Sequence, residues 1–194
     1  MIPTFTNNHN RYKWSQQMRS RKAPLIDYER GGVALSDPSE GLNAYDWTAE
    51  YVPSEGWVSV WREDLGVGTK TQVLQVAGIT RIAFAFDQNM RPQIAYVDGA
   101  GVHLWYYSAG DGGMVTRDFP GTSDPCLTLD DRRDGRASES DVIFSYITGD
   151  SLAFRVQREN YDVERSTVLD ELSNLEGAGM TAPLRFQWET RKIE

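Results

Sequence analysis

Ile94-Ala95-Tyr96-Val97-Asp98-Gly99-Ala100-Gly101-Val102-His103-Leu104 returns 50 residues later as Phe144-Ser145-Tyr146-Ile147-Thr148-Gly149-Asp150-Ser151-Leu152-Ala153-Phe154. Each copy is an apolar alternating run, a Gly-containing turn and a second run, the signature of a hairpin. Upstream, Ile82-Ala83-Phe84-Ala85-Phe86-Asp87 corresponds to Pro125-Cys126-Leu127-Thr128-Leu129-Asp130 at an offset of 43, so the second copy carries seven extra residues, within 131–140. Each unit reads strand, polar turn, strand, Gly turn, strand. That is the plan of a propeller blade or of one half of a pseudo-symmetric sandwich. The units occupy about 79–122 and 123–165 of a single β-rich domain, residues 25–194. Two copies do not close a propeller, for which about four blades is the usual minimum. Sheet edges would then remain for neighbours to pair with or cover.

The same period of two extends through the flanking sequence. Trp57, Ser59 and Trp61 share one face of an extended segment and Val58 and Val60 the other; Gln72–Val76, Val102–Tyr107 and Leu184–Glu189 also alternate. Turn formers at Ser36–Gly41 and Pro53–Gly56 bracket the aromatic stretch Tyr45–Val52, as short strands between tight turns require. The expected fold is all-β, antiparallel, with repeated blade-like or sandwich-like units behind an extended N-terminal arm. Ser166–Leu175 is the one helical candidate, with Val168, Leu169, Leu172 and Leu175 at helical spacing and Gly177 to end it, and it also fits a strand followed by a loop.

Charge is unevenly spread. The 194 residues carry 20 Lys+Arg and 28 Asp+Glu, a net of −8. Residues 1–24 hold Arg11, Lys13, Arg19, Arg21 and Lys22 and no acid, which leaves −13 on residues 25–194. The arm is too poor in aliphatics to build a core. It reads either as a loose terminus or as a docking arm that orders on an acidic surface, with Arg11, Lys13, Trp14, Arg19, Arg21 and Lys22 making the contacts and Tyr12 beside Trp14 as an anchor. An acidic body is such a surface, so copies of the same chain are candidate partners. Net negative charge argues against general nucleic-acid binding. No run of about 18 apolar residues is present to span a membrane as a helix. Met1–Asn10 has no apolar core of the secretory kind.

Catalytic chemistry has few handles. Cys126 is the sole cysteine, which excludes an intrachain disulfide and a multi-thiolate zinc site. His9 and His103 are the only histidines, so a multi-histidine metal centre is not expected. His103 alternates with apolar residues on a strand and reads as a satisfied sheet histidine, and Cys126 as a small packed side chain. Asp87, Asp98, Asp111, Asp130, Asp131, Asp134 and Asp150 all sit in turn-like segments, where Asp caps backbone. Ser108–Gly113 approaches a sialidase-type Asp-box but lacks its aromatic, and calcium at Asp130–Gly135 would face Arg132 and Arg133. No nucleophile elbow, P-loop or dinucleotide fingerprint occurs. The expectation is no enzyme, no cofactor and no metal. The aromatics, 6 Trp, 9 Tyr and 7 Phe, remain. Trp57, Trp61, Trp105 and Tyr107 read as core or subunit-interface filling, or as a stacking platform for a host glycan.

Phe86-Asp87-Gln88-Asn89-Met90-Arg91-Pro92, Ile94-Ala95-Tyr96, Leu129-Asp130-Asp131-Arg132-Arg133, Ser140–Ile147 and Arg155-Val156-Gln157-Arg158-Glu159 together resemble a family of tailed-bacteriophage virion proteins, small tail-associated components. The resemblance spans roughly residues 33–190. It implies a multi-copy structural role at the tail, baseplate or fibre attachment, in a virion assembled in the host cytoplasm. Its partners would be other tail proteins and copies of itself. It supplies no catalytic residues. A carbohydrate-binding β module that recognises a host surface glycan is the alternative expectation.

Overall fold

A computed structural model describes residues 28–34, 45–62, 70–87, 89, 91–130, 141–169, 173–180 and 186–192. The arm residues 1–24 and the insertion 131–140 lie outside them. The described chain is almost entirely antiparallel β. Sheet one comprises β1 (Tyr28–Ala34), β2 (Tyr45–Val52), β3 (Trp57–Arg62) and β4 (Thr71–Gln75); sheet two comprises β5 (Arg81–Phe86), β6 (Pro92–Asp98), β7 (Gly101–Ser108) and β8 (Gly113–Phe119). Sheet three comprises β9 (Thr122–Asp130), β10 (Asp141–Thr148), β11 (Ser151–Val156) and β12 (Arg165–Val168), and sheet four β13 (Ser173–Met180) and β14 (Phe186–Lys192). Within every sheet the strands pair in chain order, so each is a meander built from a contiguous segment.

The duplicated sequence maps onto these meanders. β5, β6 and β7 correspond to the end of β9, to β10 and to β11, and both repeated hairpins turn through glycines in left-handed territory, Gly101 (φ +132°) and Gly149 (φ +58°). Only glycine enters that region without a steric cost. A complete sheet also precedes the two repeated units and a two-stranded one follows. Sheet one escapes recognition as a copy because its β2–β3 hairpin turns over the four residues Pro53–Gly56, with different chemistry. The helical candidate Ser166–Leu175 is corrected: Arg165–Val168 is strand β12, paired to β11 from Phe154↔Arg165 to Ser151↔Val168, and β13 begins at Ser173. Pairing with β11 outweighs the four apolar residues that suggested a helix.

The cores explain the stacking. Between sheets one and two lie Ala49, Tyr51, Val58, Val60 and Leu74 against Ile82, Phe84, Phe86, Ile94 and Tyr96. Between sheets two and three lie Ala83, Ala85, Ala95, Leu104 and Tyr106 against Leu127, Val142, Phe144, Tyr146 and Tyr161. Between sheets three and four lie Cys126, Ile147 and Leu152 against Leu175, with Trp188 packed on them. Successive residues of β5 thus enter different cores, Ile82, Phe84 and Phe86 one way and Ala83 and Ala85 the other. Burial on both faces requires a mostly apolar strand, so Ile82–Phe86 is apolar throughout and Val142–Ile147 is interrupted only by the buried Ser145, whose Oγ accepts from Trp188 Nε1 at 3.1 Å. The first strands lie side by side in order, β1 by β5, β5 by β9 and β9 by β13. Three cores in series between the four sheets of the described residues make the repeated blade-like or sandwich-like arrangement that the sequence predicts.

A bulge ties the first strands together. Ser145 pairs Cys126 but Ile147 pairs Ser123, so β9 carries one extra residue there, beside Asp124 (φ +52°) and Pro125. Bulges accept residues that regular pairing cannot, Pro among them. The bulge turns Asp124 toward Arg81 of β5, whose guanidinium ion-pairs with it and also donates to Leu175 O of β13 at 3.3 Å. One cation therefore links the first strands of three sheets.

Phe144 is fully buried and its ring lies 4.8 Å from Phe119 and 4.9 Å from Tyr146. Phe144→Ala is expected to cost about 3–5 kcal/mol, and Val168→Ala on the exposed β12 within about 0.5 kcal/mol, both read as shifts of the urea unfolding midpoint.

Candidate functional site

The densest cluster of polar side chains lies on the seam between sheets two and three. After β11 the chain makes one 3-10 turn, Gln157–Glu159, and then places Asn160 (φ +51°) and Tyr161 (φ +58°) consecutively in the left-handed region. Asn tolerates this region and Tyr does not, so the conformation costs of order 1–3 kcal/mol and must be held by contacts. It is. Tyr161 is fully buried, its ring edge-on to Tyr106 at 4.8 Å, and its hydroxyl donates to Gln93 Oε1 of β6. Asn160 Oδ1 accepts from the Tyr106 hydroxyl at 3.1 Å, and Asn160 O accepts from Arg117 Nη1 at 3.1 Å. Arg117 also pairs with Asp162 at 2.7 Å.

Arg155 locks the loop from the other side. Its Nη1 donates to the carbonyls of Tyr161 and Asp162 at 2.9 and 2.8 Å, its Nε to the Tyr146 hydroxyl at 2.6 Å and its Nη2 to Glu164 at 2.9 Å. The Tyr146 hydroxyl donates to Glu164 Oε2 at 2.6 Å. Burial, and then that bond to a carboxylate, push the Tyr146 phenol up to about 12. The same bond, aided by Arg155 and opposed by partial burial, holds Glu164 below the usual carboxylate range. The network fixes a loop. It presents no activated nucleophile.

Asp87 forms a second tie across the seam. Its buried carboxylate accepts the N–H groups of Asn89 (2.8 Å) and Arg91 (3.0 Å), Arg91 Nε (2.7 Å) and, from sheet three, Gln157 Nε2 (3.3 Å). Arg91 then lies over the Tyr107 ring at 3.7 Å. The motif residues Asp87, Asn89 and Arg91 are thus the parts of a capped turn. Asp98 likewise caps its turn, accepting from Ala100 N at 2.7 Å, whereas the Asp111 N–H donates to Ser108 Oγ at 3.3 Å. Among the described residues no three His, Cys, Asp or Glu side chains converge as a metal site would require. Among them, too, no helix is long and apolar enough to cross a membrane.

The four aromatic candidates do not meet on one face. Val58 and Val60 point into the core shared with sheet two, so Trp57 and Trp61, alternating with them, occupy the opposite face of sheet one. Trp105 packs on that same core from sheet two, and Tyr107 is capped by Arg91. The Trp61 indole N–H is buried without a hydrogen-bond partner and the Lys70 ammonium lies 5.6 Å from its ring. A single stacking platform of Trp57, Trp61, Trp105 and Tyr107 is therefore not formed. Cys126 is buried between sheets three and four. Arg11, Lys13, Trp14, Arg19, Arg21 and Lys22 lie outside the described residues. The seam residues Gln93, Asn160, Tyr161 and Arg117 were not singled out by sequence, and Arg155 only within the string that carries the resemblance, although Gln93 and Arg155 stand as polar intrusions in the apolar runs Pro92–Val97 and Leu152–Val156.

No family model, curated protein or solved structure matches this chain.

Tyr161→Phe leaves the buried Gln93 amide, whose Nε2 has no partner, without its remaining hydrogen bond. The expected cost is about 1–3 kcal/mol, read by urea unfolding. Because Glu164 titrates lower in the folded chain, its contribution is present above the ordinary value of 4.5 and is lost as pH falls through the lowered one. Glu164→Gln should flatten the acid limb of stability against pH.

Proposed function

We propose that this chain is a structural component of a bacteriophage tail, acting by assembly with other tail proteins and with copies of itself rather than by turnover. The observation that carries the reading is where apolar surface is left open. Among the described residues, the exposed large hydrophobic side chains, Met114 (38%), Val163 (47%) and Val168 (70%), all belong to the outermost strands β8 and β12 or to the segment entering β12. Among the described residues those strands pair on one side only. An unpaired edge with apolar side chains is a template for a neighbouring chain unless charge or proline guards it. On β12 the one charged residue, Arg165, is held bidentately by Glu159 at 2.6 Å, which leaves Ser166, Thr167 and Val168 unguarded.

The division of charge supports the same reading. An arm of +5 and a body of −13 attract one another between copies over about 8–10 Å at physiological ionic strength. The catalogue of acids supports it too, since Asp87, Asp98, Asp124, Glu159 and Glu164 are engaged in caps and ion pairs within the fold.

Deletion of residues 1–24 is expected to leave a body with unchanged thermal unfolding that fails to incorporate into particles, and Val168→Lys to reduce incorporation. Normal incorporation of both would remove the assembly reading. Saturable binding on a glycan array, lost in Trp57→Ala or Trp61→Ala, would replace it with the carbohydrate-binding module.

A further inference from the structure

We propose that His103 is kept as an imidazolium at neutral pH and acts as a proton-dependent fastener, joining the β6–β7 turn to the edge strand β8. The placement follows from the register of sheet two. His103 of β7 lies opposite Tyr96 of β6 and opposite Asp118 of β8, and Asp98 closes the turn two residues beyond Tyr96. Its Nδ1 is 2.8 Å from Asp118 Oδ1 and its Nε2 2.9 Å from Asp98 Oδ1. An ionised carboxylate only accepts, and a neutral imidazole has a single N–H. One of the two contacts would then oppose lone pairs. Both are satisfied only when both nitrogens carry protons.

The surroundings hold the ring in place. Tyr96 stacks on it at 4.8 Å with planes 22° apart, and Ala100 N at 2.7 Å fixes the Asp98 oxygen that faces it. Among the described residues, the titratable or charged groups facing His103 are Tyr96 and Asp98 from β6 and its turn, and Asp118 from β8. Sheet one contributes Tyr51, whose hydroxyl accepts from Gly78 N at 2.9 Å, and the apolar Val73 and Val76 to the core beside Tyr96. Burial of the imidazole opposes its charge, and the bonds and charges of Asp118 and Asp98 outweigh it, so His103 titrates above its ordinary value. Asp98 titrates below its own, its burial outweighed by the Ala100 N–H and by His103. A raised histidine stabilises fully below its unfolded value and loses that contribution as pH rises through the folded one. Rising pH therefore unfastens β8, the outer edge of sheet two, as it passes through the raised His103 value. The two arms differ in exposure: the Asp118 side chain is 75% exposed and that of Asp98 17%, so salt weakens the first more than the second.

The test uses the full chain, 15N-labelled at histidine, with His9→Gln assigning the signals. At pH 7 both His103 ring nitrogens should show protonated shifts, with a midpoint above 6.5 that falls in Asp118→Asn and in Asp98→Asn. Hydrogen-exchange protection of the β8 amides, corrected for intrinsic rates, should drop through the same titration in the native chain and lose that step in Asp118→Asn, a substitution at an exposed carboxylate that leaves the core untouched. A singly protonated ring at pH 7, or β8 protection independent of the His103 titration, overturns the proposal.

Discussion

The inner sheets of this fold, two and three, have to be covered on both faces by their neighbours. A four-stranded meander with apolar residues on both faces cannot stand alone in water, since each buried large side chain is worth about 1.5–3 kcal/mol relative to exposure. Sheets two and three meet the requirement by sharing one core with the sheet before and another with the sheet after. The rest follows. First strands lie side by side, outer strands form the rim, and polar side chains that cross a seam must find partners inside it.

The seam between sheets two and three shows how those partners are found. The fully buried Gln93 and Tyr161 enter an apolar interface, where the Tyr161 hydroxyl and Gln93 Oε1 satisfy one another and the Gln93 Nε2 stays unpaired. Tyr161, Asn160, Arg155 and Arg117 form a network anchored in both sheets, with Asp87 and Gln157 as a second bridge. Packing non-directional apolar surface fixes approach, and these directional bonds fix register. Arg81, bonded to Asp124 and Leu175, does the same along the first strands. Acids placed in such ties, Asp87, Asp124 and Glu164 among them, serve the structure of the fold.

Much of the fold was legible because its signal is local. Period-two alternation and a duplicated hairpin report strand and meander directly, and Gly101 and Gly149 mark both turns. What escaped has a common cause. Sheet one was invisible as a copy because hairpin turns of different length share no residues to align. The strand at Arg165–Val168 was masked by apolar spacing that also suits a helix, and only its partner β11 decides the matter. The candidate site was less legible still. Trp57 and Trp61 share a face with each other, as alternation says, but alternation does not reveal that Trp105 packs into the core on the other side of sheet one. Tyr161 matters through Gln93, far away in sequence, and Arg155 through the carbonyls of a loop whose left-handed turn at Asn160 and Tyr161 carries no sequence signature.

Sheets made from contiguous segments and joined through separate cores have a mechanical consequence. Tension applied at the ends of the chain peels strands from one meander while the others keep their own internal pairing. Each sheet removed uncovers one face of its neighbour and so weakens the next. The molecule should extend in a few discrete lengths, each about one meander of chain. A component held between larger bodies would dissipate load in instalments.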